Sequence, residues 1–242
     1  MPGGLFSALF YTGRMTFDPT RVQAVLFDLD GTLADTDDQF ILRAGEMMRR
    51  LNGLFPDHDP THFLRWSLMV SETPLNQLMG LPDRLGLDGP LARVAEWMTQ
   101  HNRLKTSARF ELMAGVDQLL PRLAARYPLA VVTARGAREA GAFLDQFSLA
   151  GNFRTVVSAL TAAHTKPYPD PVLWAARELG VAVENCLMVG DTTVDILAGK
   201  RAGAQTVGVL CGFGERGELE RAGANAIIEH TGELGALLGS GR

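Results

Sequence analysis

Lysine is scarce in this 242-residue chain: Lys105, Lys166 and Lys200 are the only three, against twenty arginines. A lysine in a working position therefore stands out. Cysteine is scarcer still. Cys186 and Cys211 each sit inside an apolar, strand-like run, which excludes a disulfide framework and suits a reducing compartment. No stretch approaches the roughly 20 apolar residues of a membrane span. There is no basic excess either. The formal net charge is −4, opposite in sign to the usual nucleic-acid binder. The first positive side chain, Arg14, follows the apolar run at residues 5–11, the reverse of a secretion signal. Residues 1–20 therefore read as a flexible extension, with either Met1 or Met15 as the native start and residues 1–14 as dispensable. The chain reads as cytoplasmic, with no membrane or nucleic-acid partner. Its oligomeric state is not legible.

Short apolar or β-branched runs recur at 24–28, 129–133, 155–158, 186–190, 206–210 and 226–229. Continuous apolar character, rather than alternation, predicts strands buried on both faces and hence a parallel sheet. Helical spacing at 137–146, 170–179 and 194–202 separates the later runs. This alternation predicts an α/β fold with a doubly wound parallel sheet and a Rossmann-like core. One interval lacks strands. Helical patterns at 38–51, 60–70, near 75–81 and at 91–104 are divided by turn signals such as Asn52-Gly53 and Asp88-Gly89-Pro90. The expected organisation is a core formed by 21–36 and 113–242, with an all-helical module, 37–112, inserted after the first strand. A chain of this length buries roughly 70–75% of its unfolded surface and needs no staple.

Chemistry collects where strands end. The first runs into Phe27-Asp28-Leu29-Asp30-Gly31-Thr32. Two carboxylates at the end of a buried strand are unfavourable unless something compensates their charge, and open α/β sheets bind ligands at the strands' carboxyl ends. A second apolar strand ends in the hydroxyl of Thr133. Lys166 precedes the stiff segment Pro167-Tyr168-Pro169. A fourth strand runs through Gly190 into Asp191, with Asp195 four residues on. Asp195 alone could be a first-turn helix residue, where a carboxylate is favoured anyway. Clustered carboxylates call for a hard divalent cation such as Mg²⁺, which prefers oxygen ligands. A lysine and a hydroxyl beside it would complete a pocket for a phosphoryl group.

Taken in order, these four motifs resemble those of the haloacid dehalogenase superfamily, and the helical insert is similar to its first class of cap. The resemblance spans about residues 21–238. It implies that Asp28 is the nucleophile taking the phosphoryl group and Asp30 the general acid–base. It implies that Thr133 and Lys166 bind the substrate phosphate. Mg²⁺ would be held by Asp28, the Asp30 carbonyl and Asp191, with Asp195 supporting. The activity so implied is a Mg²⁺-dependent phosphatase acting on a small phosphorylated metabolite through an aspartyl-phosphate, similar to phosphoglycolate phosphatases. A sugar-phosphate mutase of the β-phosphoglucomutase type shares both motif-one aspartates and is the alternative; Thr32 favours the phosphatase form. Dehalogenases of the superfamily use no metal and lack the second aspartate, so Asp30 and Asp191 count against that activity. A catalytically idle binding protein would not need every one of these positions filled.

Other signals carry less. Gly212-Phe213-Gly214-Glu215-Arg216-Gly217 matches G-x-G-x-x-G after a strand, but too few residues remain for a crossover helix, so it reads as a glycine-rich loop. Gly199-Lys200 is no P-loop, because Val194 stands where the first glycine belongs. His58 and His62 are separated by Pro60 and have no third ligand. Trp66, Trp97 and Met98 read as the insert's own core. Cations of the insert such as Arg43, Arg65 and Lys105 are candidates to meet a substrate.

Overall fold

The computed structural model describes residues 17–35 and 110–239. The helices expected between 38 and 104, together with His58, His62, Trp66, Trp97, Met98 and the insert's cations, lie outside the described residues. So do residues 1–16 of the expected extension. Its last residues are anchored: Asp18 accepts from Gln205 Nε2 at 2.9 Å and donates its N–H to Gln205 Oε1 at 2.8 Å, and Phe17 packs on the core.

In chain order the elements are β1 (Ala24–Phe27), β2 (Ala34–Asp35), β3 (Glu111–Leu112), α1 (Val116–Ala124), β4 (Leu129–Val132), α2 (Ala137–Gln146) and β5 (Thr155–Val157). There follow α3 (Asp170–Leu179), β6 (Cys186–Gly190), α4 (Thr193–Ala202), β7 (Gln205–Val209), α5 (Arg216–Ala222), β8 (Ala226–Ile228) and α6 (Leu234–Leu237). Six strands form one sheet in the order β5-β4-β1-β6-β7-β8, and every pairing in it is parallel. All six runs expected as strands are in it.

Successive residues of a strand face opposite sides of a sheet, and the core divides accordingly. Val25, Phe27, Val131 and Val189 pack with Leu120 of α1 and Phe143 of α2. Ala24, Leu26, Ala130 and Met188 pack with Ala175 of α3 and Ala198 of α4. Both faces of the sheet are covered, which is why its strands carry no polar alternation. Among the described residues, no helix is long and apolar enough to cross a membrane.

From β1 the chain builds outward through β4 to β5, then returns to β6 on the other side and continues to β7 and β8. The order reverses at β1. A crevice opens at such a switch point, outside the carboxyl ends of the strands. Three of the motif strands (β1, β4 and β6) end there. The two-residue strands β2 and β3 pair antiparallel, Ala34 opposite Leu112 and Asp35 opposite Glu111. The segment between them thus leaves and re-enters the core side by side, beside the crevice. Neither strand was expected, since two residues carry no periodicity. Helix α1 is not among the helices read from the sequence; it holds Pro121 in its interior, normally a helix-breaking position.

Candidate active site

Asp28 is the first residue after β1, and its N–H donates to the carbonyl of Val189 on β6 at 2.8 Å. That bond continues the ladder one residue past the strand and fixes where the side chain emerges. Gly31 then turns the chain at φ +68°, a left-handed conformation in which a side chain is strained. The turn closes with Gly31 N–H to the Ala34 carbonyl at 2.9 Å and Ala34 N–H to the Leu29 carbonyl at 2.8 Å.

Lys166 reaches into the same crevice from the loop after β5. Its ammonium donates to Asp28 Oδ1 at 2.5 Å and to Asp195 Oδ1 at 2.6 Å, and all three residues are buried. The neighbouring backbone is tied down by Arg201 of α4, which donates to the Pro167 carbonyl at 2.8 Å. Burial alone would push the Lys166 ammonium below the ordinary lysine range. Asp195 and Asp28 outweigh it and hold the group well above that range. Burial raises the Asp28 carboxyl well above the usual carboxylate range, with Lys166 opposing and Asp195 and Asp30 adding to it.

Asp195 sits in the first turn of α4. Its Oδ2 accepts from Thr192 N–H at 3.0 Å and Thr192 Oγ1 at 2.6 Å, leaving Oδ1 to meet the lysine. It is thus a helix-capping residue, one of the readings its sequence position allowed, and it also pairs with Lys166, a contact the sequence did not indicate. Asp191, fully buried at the end of β6, accepts from Phe213 N–H at 2.8 Å. Thr32 Oγ1 lies 3.5 Å from its other oxygen.

Asp28, Asp191 and Asp195 each bring a carboxylate oxygen within 4.8 Å of the others. Three carboxylates against one ammonium leave two negative charges in a nearly dry crevice, which is costly unless neutralised. An all-oxygen donor set with that charge fits a hard divalent cation such as Mg²⁺.

Asp30 is turned elsewhere. Both its oxygens accept from the Arg135 guanidinium, at 2.5 and 2.6 Å. Any contribution of Asp30 to a cation therefore falls to its main-chain carbonyl, as the resemblance implies. Thr133 is buried after β4, its N–H bonded to the Val157 carbonyl at 2.9 Å. Its hydroxyl accepts from Arg135 N–H at 3.0 Å. Arg135 also lies over the ring of Phe110, 5.4 Å from its centroid, where the chain re-enters the core. Arginine is too common here for Arg135 to be conspicuous, although its place two residues after Thr133 was a usable signal. Phe213, in sequence one residue of a glycine-rich loop, acts through its main-chain N–H, a donor that residue type does not signal.

Comparison with known proteins agrees with this arrangement. Residues 25–209 match the family described as haloacid dehalogenase-like hydrolase. A phosphoglycolate phosphatase from Neisseria meningitidis is 32% identical over 201 residues, 81% of this chain and 83% of that protein. The crystal structure of a hydrolase from Pseudomonas syringae superposes with a TM-score of 0.63 at 27% identity, covering 90% of this chain and 98% of the other. A structure from Thermotoga maritima assigned as a β-phosphoglucomutase gives a TM-score of 0.63 at 25% identity, with coverage of 91% and 100%. Sequence, sheet order and strand-end chemistry thus converge: this chain is an enzyme and belongs to the haloacid dehalogenase-like hydrolases.

Proposed function

We propose that the protein is a Mg²⁺-dependent phosphatase that hydrolyses a small phosphate monoester through a phosphoryl group carried on Asp28. The observation that carries this reading is the buried Asp28 carboxylate, paired with Lys166 and grouped with Asp191 and Asp195 at the sheet's switch point. A carboxylate attacks a phosphate dianion poorly unless charge is neutralised. Lys166 supplies one positive charge beside the attacking oxygen. Mg²⁺, held by Asp28, the Asp30 carbonyl and Asp191, would supply the rest by drawing charge off the phosphoryl oxygens.

In the first half-reaction an Asp28 oxygen bonds to phosphorus and the bond to the leaving oxygen breaks, with Asp30 giving that oxygen a proton. In the second, water attacks phosphorus and passes a proton to Asp30, and the Asp28–phosphate bond breaks. Both oxygens of Asp30 are engaged by Arg135, so Asp30 must turn from the guanidinium to reach the leaving group. Thr133 and Lys166 bind the phosphoryl oxygens. In this reading the contacts to the leaving group come from the inserted segment, whose two ends are brought together by the β2–β3 pairing. The Neisseria relative makes phosphoglycolate the first substrate to test. The similarity to the Thermotoga structure keeps a mutase in view; a mutase would yield an isomeric sugar phosphate, whereas a phosphatase releases inorganic phosphate.

Three outcomes follow for the full-length protein. Hydrolysis of a generic aryl phosphate, followed as phosphate release, should need Mg²⁺ and stop in excess chelator; undiminished activity there contradicts the reading. Asp30→Asn cannot move the proton, and general acid help is worth about 10²–10⁴-fold. Single-turnover rates should therefore fall steeply for an alkyl phosphate and less for an aryl phosphate with an acidic phenol. Equal losses on both would reduce Asp30 to positioning. Lys166→Met leaves Asp28 and Asp195 buried without their counter-ion. Urea titration without metal should show a loss of about 3–5 kcal/mol, partly recovered with Mg²⁺. Unchanged stability would mean that the ammonium does not hold the carboxylates in place.

A further inference from the structure

The glycine pattern at 212–217 runs into a helix of only seven residues, α5, and its surroundings point to a use other than a nucleotide loop. A Cβ placed on Gly212 would run into Oδ2, Cγ and Cβ of Asp191. One placed on Gly214 would run into the main-chain oxygen of Asp191 and approach Leu219. From across the crevice, a Cβ on Gly31 would strike the same carboxylate. Asp191 is therefore walled by three α-carbons that carry no side chain. Gly31 has a left-handed φ; Gly212 and Gly214 do not, so these two are glycine for space and not for backbone conformation. Between them, Phe213 N–H donates to Asp191 Oδ2 at 2.8 Å.

The two walls are cross-linked. Thr231 Oγ1 donates to the Thr32 carbonyl at 2.7 Å, and Cys211 Sγ lies 3.5 Å from both the Gly31 carbonyl and Thr231 Oγ1. A carboxylate held on two sides, with one oxygen fixed by a main-chain donor, has little freedom to turn.

We propose that the loop Gly212-Phe213-Gly214 is the positioning element for Asp191, holding its carboxylate in the one orientation that binds the divalent cation. The inference rests on the proposed role of Asp191 as a cation ligand and adds that the affinity of that ligand is set by the loop after β7. Residues that orient a metal ligand typically change metal affinity by about 10–100-fold when altered.

The test compares Gly212→Ala with Gly217→Ala, a substitution into open space in the first turn of α5. Mn²⁺ binding to the full-length protein is measured by electron paramagnetic resonance without substrate, and melting temperature without metal. Gly212→Ala should weaken Mn²⁺ binding at least about tenfold, while Gly217→Ala leaves it unchanged. Asp191→Gly removes the atoms that the new methyl group would meet. In that background Gly212→Ala should cause no further loss of melting temperature, a coupling that a double-mutant cycle isolates. If Gly212→Ala alone does not fold, the double variant should. Wild-type affinity in Gly212→Ala, or a defect that persists in full with Asp191→Gly, overturns the proposal. Failure of the unaltered protein to bind Mn²⁺ or Mg²⁺ would instead remove the cation from the proposed function, and the melting-temperature cycle would still decide whether the loop positions Asp191.

Discussion

One ammonium group lies between two buried carboxylates, and the candidate site is arranged around it. Lys166 meets Asp28 from the central strand and Asp195 from the first turn of α4, so a single side chain joins β1, the loop after β5 and the helix after β6. Without it, two carboxylates would face each other in a crevice that excludes water, and leaving a buried charge unpaired is among the more destabilising changes a fold can suffer. The surrounding contacts serve this arrangement. Thr192 takes the second oxygen of Asp195, Arg201 holds the backbone at Pro167, and the bond from Asp28 N–H to Val189 sets where the first carboxylate emerges. Among the described residues, the cluster of Asp28, Asp191 and Asp195 meets one ammonium, and a cluster with that balance of charge is suited to bind more positive charge.

Much of the sheet was legible because burial on both faces writes itself as uninterrupted apolar runs, and those runs mark all six strands. Lys166 was legible because lysine is rare. Asp28 and Asp191 were legible because carboxylates seldom end apolar strands without a use. What escaped notice did so for reasons of the same kind. Strands β2 and β3 are too short to show a period. Helix α1 contains Pro121, which local rules read as a break but which packing of Leu119, Leu120 and Leu123 against the sheet overrides. Arg135 was lost among the other arginines, although it grips both oxygens of Asp30. The pattern at Gly212 reads from sequence as a glycine-rich loop, with no sign of what the glycines make room for. Two glycines around one residue are written identically whether they make room for a pyrophosphate or for a neighbouring aspartate, and only the position of Asp191 distinguishes the uses.

The fold also divides labour along the chain. Everything that touches Asp28 in the described residues comes from the core, and the loops that carry it are held by hydrogen bonds between elements far apart in sequence. In the proposed mechanism this rigid set handles the phosphoryl group, which any phosphate monoester shares. The ends of the inserted segment are held together by the β2–β3 pairing, apart from the residues that meet Asp28. Phe110, the residue at which the chain returns, packs against Arg135, which in turn grips Asp30. The acid–base candidate is thus linked to the point of re-entry through Arg135.

The central claim is that Asp28 itself carries the phosphoryl group. Its most direct test is to mix enzyme with Mg²⁺ and excess substrate, quench within the turnover time in acid, digest, and weigh the peptide containing Asp28. The account predicts that this peptide gains the mass of a phosphoryl group on Asp28, and that the adduct disappears when substrate is exhausted. Full turnover with no phosphate on Asp28 at any quench time, or a phosphate found on another residue, would contradict it.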